Sequence, residues 1–381
     1  MTTKASIYDL VGNLVVYRDL DPVDERLPRF AEAWQYADLD SPARPRKLEP
    51  AYAQALAWYL REMRVLDGPG PKIGELVFVG DNPSSDGSAF RNLRSAGDWR
   101  GWAFIGADRA DPPAISESDG IVTANRWTAL GDFLSGLLAK GAALDVRTAV
   151  VLDIDKTVIG ARGRNDAVID AARVAAIEAT VADALGETFD RERFREAYAT
   201  INVARYHPFT ADNQDNVAYI CLMLGAGVSD LDTLISQVEG SQLRTFRDFM
   251  DQVDAEADLL PSPGLQSLHS DIYARVRADD QTPFKAFRRR EYRETVARMG
   301  CLRDDSPQER ILAEEICMTR EVLEAAEWLR RRGCLLTALS DKPDEATMPT
   351  PELVARGYVP LHRVATHIVG PSIREALVSL G

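Results

Sequence analysis

Three short runs in this chain are almost wholly apolar, and each ends on a residue able to do chemistry. Leu76–Val79 leads into Gly80-Asp81, Thr148–Leu152 into Asp153, and Cys334–Leu339 into Ser340. Apolar runs without alternation fit strands covered on both faces, which is the situation inside a parallel sheet. Helical spacing lies between them. Tyr52, Leu56, Tyr59, Leu60 and Met63 share one face over 49–65, and Trp127–Leu138 reads as another helix. A third is bracketed by Thr319 as a candidate N-cap and Gly333 as the stop, with Val322, Ala326 and Leu329 as its stripe. Further strands are expected at Trp102–Ile105 and Gly120–Thr123, and the break Gly68-Pro69-Gly70-Pro71 precedes the first apolar run. Ala5–Leu10 and Leu14–Tyr17 flank Val11-Gly12-Asn13 and predict two strands joined by a tight turn. Strands alternating with helices predict an α/β fold with a Rossmann-like, three-layer core around a mostly parallel sheet.

Residues 163–332 have a different texture and read as helical almost throughout. Asn165 is a candidate cap for a helix carrying Ile177, Val181 and Leu185, and Asp190 for one carrying Phe194, Tyr198 and Ile201. Helices also fit 214–224, 229–239 and 241–256, and Ser306-Pro307 opens another. The expected division is a core segment over 1–140, a second over 141–162 with 333–381, and an all-α insert over 163–332.

The formal net charge is −14, a field that repels nucleic-acid backbones and anionic membranes and favours a small substrate. No apolar run approaches the length of a bilayer span, and no apolar segment follows a basic N-terminus, so a cytoplasmic protein is expected. Cys221, Cys301, Cys317 and Cys334 show neither CxxC spacing nor a neighbouring His at zinc spacing, which fits reduced thiols. Oligomeric state is not legible.

The strongest chemical signal is Leu152-Asp153-Ile154-Asp155-Lys156-Thr157-Val158, where a buried strand delivers two carboxylates at its C-terminal end. Ligands of open α/β sheets bind there. Asp153 is placed to attack phosphorus, and Asp155 to protonate the leaving oxygen and then activate water. The Asp153 carboxylate and the Asp155 backbone carbonyl suit a hard Mg²⁺ ion. The alternative is an Asp pair that only caps a turn.

This run resembles the first motif of the haloacid-dehalogenase-like superfamily, matching at Asp153, Asp155, Thr157 and Val158. The resemblance implies a Mg²⁺-dependent phosphatase or phosphotransferase, because the second Asp marks the family's phosphatases and phosphomutases. Cys334–Ser340 is similar to the second motif, whose hydroxyl, here Ser340, donates to a phosphoryl oxygen. Val77–Gly87 resembles the fourth, with Asp81 and Asp86 completing the metal site. Arg46-Lys47-Leu48 resembles the third, where Lys47 would neutralise nucleophile and phosphate; Lys342 and Lys72 are its rivals. The family's usual order is first to fourth, whereas here the third and fourth stand upstream. That order implies a circularly permuted core, the alternative being a separate partial domain over 1–140. An insert between the first and second motifs is, in the family, a cap that closes over the substrate. Within it, Phe284–Arg293 is densely basic, and Arg289 is a candidate for gripping a second phosphate or a sugar acid, against the alternative of a solvated helix face. His207 and His367 read as structural. The competing functions are a phosphatase on nucleic-acid ends or protein, and a non-catalytic binding protein. The last requires Asp81 and Asp153 to stand more than about 8 Å apart, beyond the reach of one ion.

Overall fold

The computed structural model describes residues 3–68 and 70–381; Pro69, inside the expected Gly-Pro break, lies outside the described residues. The strands described are, in chain order, β1 (Lys4–Ala5), β2 (Val15–Val16), β3 (Glu75–Gly80), β4 (Arg100–Gly106) and β5 (Ile115–Ser118). Then follow β6 (Ile121–Ala124), β7 (Thr148–Asp153), β8 (Met318–Thr319), β9 (Leu335–Leu339) and β10 (Thr366–Val369). Seven of them form one sheet in the order β2-β9-β7-β3-β4-β6-β5, and β1, β10 and β8 form a small second sheet. Every pairing in the large sheet is parallel except β5 with β6. The chain is therefore α/β with a mostly parallel sheet.

The apolar runs form these central strands because both of their faces are covered. Leu76, Phe78, Ala103, Ile105, Ala149 and Val151 point into one cluster with Tyr52, Leu56 and Leu60 of the Pro50–Leu66 helix and Phe90 and Leu93 of the Ser85–Gly97 helix. The alternate residues Val77, Val79, Val150 and Leu152 are equally buried. The Ala129–Ala139 and Arg320–Arg331 helices pack against one another, the first also against β4 and the second against β9.

Since β3 and β7 lie side by side while the segment preceding β7 includes β4 and β6, residues 1–140 do not form a separate domain. From β3 the chain steps outward to β4 on one side; from β7 the next strand of the sheet, β9, lies on the other. The C-terminal ends of β3 and β7 therefore flank a topological switch point, where loops diverge and leave a crevice.

Two expectations near the N-terminus and the insert are corrected. Ile7–Val11 is a helix rather than part of a strand, because Ser6 and Asp9 form a reciprocal capping box that satisfies the first turn. Asn165 does not cap the Asp166–Leu185 helix; its side chain accepts from Cys317 N–H and donates to the carbonyls of Leu312 and Glu315. The antiparallel strand β5, exposed along its length, was not expected at all.

The chain divides into two compact units, one running to Ala171 and resuming at Thr295–Gly381, the other Ala172–Glu294. Residues 163–171 and 295–332, expected within the helical insert, thus belong with the sheet. The second unit is helical, with a core that includes Phe194, Tyr219, Met250 and Phe287. No helix among the described residues is long and apolar enough to cross a membrane.

Candidate active site

The register of the sheet brings distant stretches of sequence together. Val79 pairs with Leu152, so Asp81, just past β3, arrives beside Asp153, the last residue of β7. Asp86 sits in the first turn of the Ser85–Gly97 helix and folds back over the end of β3. Its Oδ2 accepts the backbone N–H groups of Asp81 at 2.9 Å and Asn82 at 3.0 Å. A β-carbon at Gly80 would strike the Asp86 carboxylate, so glycine is required for this close approach. Oxygens of Asp81, Asp86 and Asp153 all lie within 4.8 Å of one another, and all three residues are buried. These three carboxylates can offer oxygens to a single metal ion.

Two cations face the cluster. Lys47, in the loop before the Pro50–Leu66 helix, is buried and donates to Asp86 Oδ1 at 2.8 Å and Asp153 Oδ1 at 2.9 Å. Arg162 pairs through Nε with Asp81, whose other oxygen accepts the Thr157 hydroxyl at 3.4 Å. Three acids against two bases leave a surplus negative charge in a low-dielectric place, and the titration behaviour follows from that. Burial, then the Asp86 and Asp81 carboxylates, push Asp153 well above the usual carboxylate range against the opposing pull of Lys47. Burial and Asp86 raise Asp81 to about 6. Asp86 stays below its ordinary value, since Lys47 and the two backbone donors outweigh burial. Lys47 is held well above its ordinary value: burial opposes its charge, but Asp153 and Asp86 more than compensate.

Asp155 stands in the turn after β7, followed by Lys156 in the left-handed region at φ 61°. Its Oδ2 accepts from the Ser340 hydroxyl at 2.8 Å, and Lys342 Nζ lies 3.6 Å from Oδ1. Oδ1 is buried and makes no hydrogen bond among the described residues. Ser340 follows β9, and its Oγ also accepts the Lys342 backbone N–H at 3.0 Å, so this hydroxyl is directed at Asp155. Lys47, Asp81, Asp86, Asp153 and Thr157 thus form one hydrogen-bonded group, and Asp155, Ser340 and Lys342 form another on the adjoining strand ends. Lys72 is exposed before β3. Arg289 is exposed on the helical unit, and the basic run around it turns partly inward: Arg288 is buried between Asp215 and Glu291. Arg162 was not anticipated. Its only sequence signal is its place nine residues beyond Asp153, before Gly163, where a β-carbon would collide with the Asp108 backbone. His367 lies within β10, buried between Glu315 and Asp304.

Just past Lys342, Asp344 carries a different consequence. Its backbone N–H donates to Asp19 at 3.0 Å, while its buried Oδ1 has no hydrogen-bond partner. Burial, with Asp19, Asp21 and Glu345, raises it to about 7. The folded chain therefore holds a proton that the unfolded chain releases near pH 4. This contribution to stability is present below pH 4 and is lost as pH rises through about 7. Asp344→Asn is expected to melt about 2–4 °C above the wild type at pH 8, with the gap closing towards pH 4. A gap independent of pH in thermal scans would show that the carboxyl does not hold the proton.

No family model, curated protein or solved structure matches this chain.

Proposed function

We propose that the chain is a magnesium-dependent phosphatase of the haloacid-dehalogenase-like type, with a circularly permuted Rossmann-like core, acting on a phosphomonoester of a small metabolite. The observation that carries this reading is the convergence of Asp81, Asp86 and Asp153 to within 4.8 Å from opposite sides of the motif order. Acids held within reach of one ion support this reading over a scaffold that had lost the site. The donor set fits a hard divalent cation: three buried carboxylates, all oxygen ligands, with a charge surplus that a cation relieves. Asp81, Asp86 and Asp153 would hold it, and when bound it supplies positive charge beside the phosphoryl oxygens.

The remaining chemistry belongs to the chain's own side chains. Lys47 keeps Asp153 oriented and favours its ionised form. An Asp153 oxygen bonds to phosphorus as the bond from phosphorus to the leaving oxygen breaks, giving an aspartyl-phosphate. Asp155 delivers its proton to the leaving oxygen, then takes one from the water that attacks the aspartyl-phosphate, releasing inorganic phosphate and restoring Asp153. Ser340 and Lys342 fix Asp155 for both transfers. Positioning and charge stabilisation supply most of the rate in phosphoryl transfer. In sequence, the helical unit is inserted between Asp155 and Ser340, the position at which the resemblance implies a cap.

Phosphate release measured over sugar phosphates, nucleotides and phospho-acids tests this. Turnover is expected for at least one small ester with Mg²⁺, falling at least about a hundredfold with a chelator. No turnover of any ester, or turnover unaffected by chelation, rejects the reading.

A further inference from the structure

Lys47 and Arg162 neutralise the acidic group in different ways. The Lys47 side chain is buried and shared between Asp86 and Asp153. The Arg162 side chain is 35% exposed and holds the buried Asp81 carboxylate through Nε. Its Nη groups make no hydrogen bond among the described residues. The backbone beneath it is fixed. The Arg162 N–H donates to the Lys156 carbonyl at 2.8 Å, and its own carbonyl accepts from the Asp108 N–H at 2.9 Å and the Trp127 indole N–H at 3.2 Å. A pinned backbone therefore carries a guanidinium with one bond to Asp81 and its remaining N–H donors unspent.

The charge of the group gives this arrangement its consequence. Three carboxylates against Lys47 and Arg162 leave one surplus negative charge. A divalent ion turns that surplus into one positive charge, whereas without Arg162 the same ion would leave the group neutral. Such a difference is felt strongly among buried groups, where water screens poorly. Arg162 thus opposes a metal ion that arrives alone. A phosphate dianion offsets the excess, so the opposition is relieved when both ligands are bound. Arg162 touches Asp81, an oxygen of which lies within 4.8 Å of an Asp153 oxygen, so a phosphoryl group at Asp153 is within reach of the unspent donors. A planar guanidinium suits phosphate oxygens.

We infer that Arg162 couples the two ligands of the site: it weakens the binding of Mg²⁺ by itself and makes phosphate strengthen that binding, so that metal and phosphorylated substrate load together. The inference rests on the magnesium-dependent phosphatase reading and adds a regulation of the same site. A guanidinium that only oriented Asp81 as a ligand would act with the opposite sign, since loss of such a supporting partner weakens metal binding by about 10–100-fold.

Calorimetric titration of the full chain with Mg²⁺, with and without inorganic phosphate, tests this and needs no turnover. Arg162→Gln removes the charge and keeps an N–H donor for Asp81. The variant is expected to bind Mg²⁺ alone at least about fivefold more tightly than the wild type, the low end of couplings between linked equilibria. Phosphate should tighten Mg²⁺ binding at least about fivefold in the wild type and less than about twofold in Arg162→Gln. Arg162→Lys, which keeps the charge, should retain most of the wild-type coupling. Melting scans check that the variants are folded, and the wild-type titrations stand without them. A wild type in which phosphate does not tighten Mg²⁺ binding overturns the inference. So does an Arg162→Gln that binds Mg²⁺ alone no more tightly, or that keeps the wild-type coupling. Each of these leaves the phosphatase reading to the ester screen. Binding of Mg²⁺ to neither protein, with or without phosphate, overturns both.

Discussion

Asp153→Asn is expected to lower turnover by roughly ten-thousandfold, the scale seen when a nucleophile is removed from a preorganised site, with the protein still folded. The amide has the same shape and can still accept from Lys47, but it cannot form the acyl-phosphate. Stability should not fall. Asp153 is buried and pushed well above the usual carboxylate range by its surroundings and by Asp86 and Asp81, so removing its charge relieves repulsion. Phosphate-release assays beside thermal melts check both halves. A variant that keeps more than a few per cent of activity removes Asp153 from the chemistry. One that unfolds shows that the carboxylate is structural.

Lys47→Met should act on stability as strongly as on rate. Methionine fills most of the same volume, yet it leaves Asp86 and Asp153 buried without the ammonium that joins them at 2.8 and 2.9 Å. Removing one member of a buried ion pair costs about 3–5 kcal/mol, which is a drop of roughly 4–6 °C in melting temperature at this chain length. Millimolar Mg²⁺ should restore part of that loss in Lys47→Met, because a cation among the three carboxylates offsets the same repulsion. The recovery should vanish when Asp86→Asn is added. A melting temperature within about 2 °C of wild type would show that Lys47 does not hold the cluster together.

The strand ends that carry the site were legible because buried parallel strands need continuous apolar runs, and β3, β7 and β9 have them. Their meeting was legible only through the motif comparison, since local patterning does not say which strands are neighbours. What was missed depends on tertiary partners or on competing local chemistry. The apolar residues at 5–10 suggested a strand, and the Ser6–Asp9 capping box overrode it. Ser116 to Ser118 of β5 offer no buried face to read, so this strand gives no alternation signal. Arg162 is one arginine among many until the fold sets it against Asp81. Arg288 and Arg289 look equivalent in sequence, but helical phase turns the first towards Asp215 and Glu291 and leaves the second in solvent. Asn165 looked like a cap because Asn favours that role; its actual bonds run to a segment about 150 positions away.

The order β9-β7-β3-β4 also has a consequence for biosynthesis. When β3 and its partner β4 have left the ribosome, the opposite side of β3 still shows Leu76–Val79 with its backbone groups unpaired, because β7 is translated only some seventy codons after β3. Open apolar strand edges are templates for unwanted association. A nascent chain stalled before codon 148 should therefore be a strong client for chaperones, and should lose that dependence once β7 has emerged.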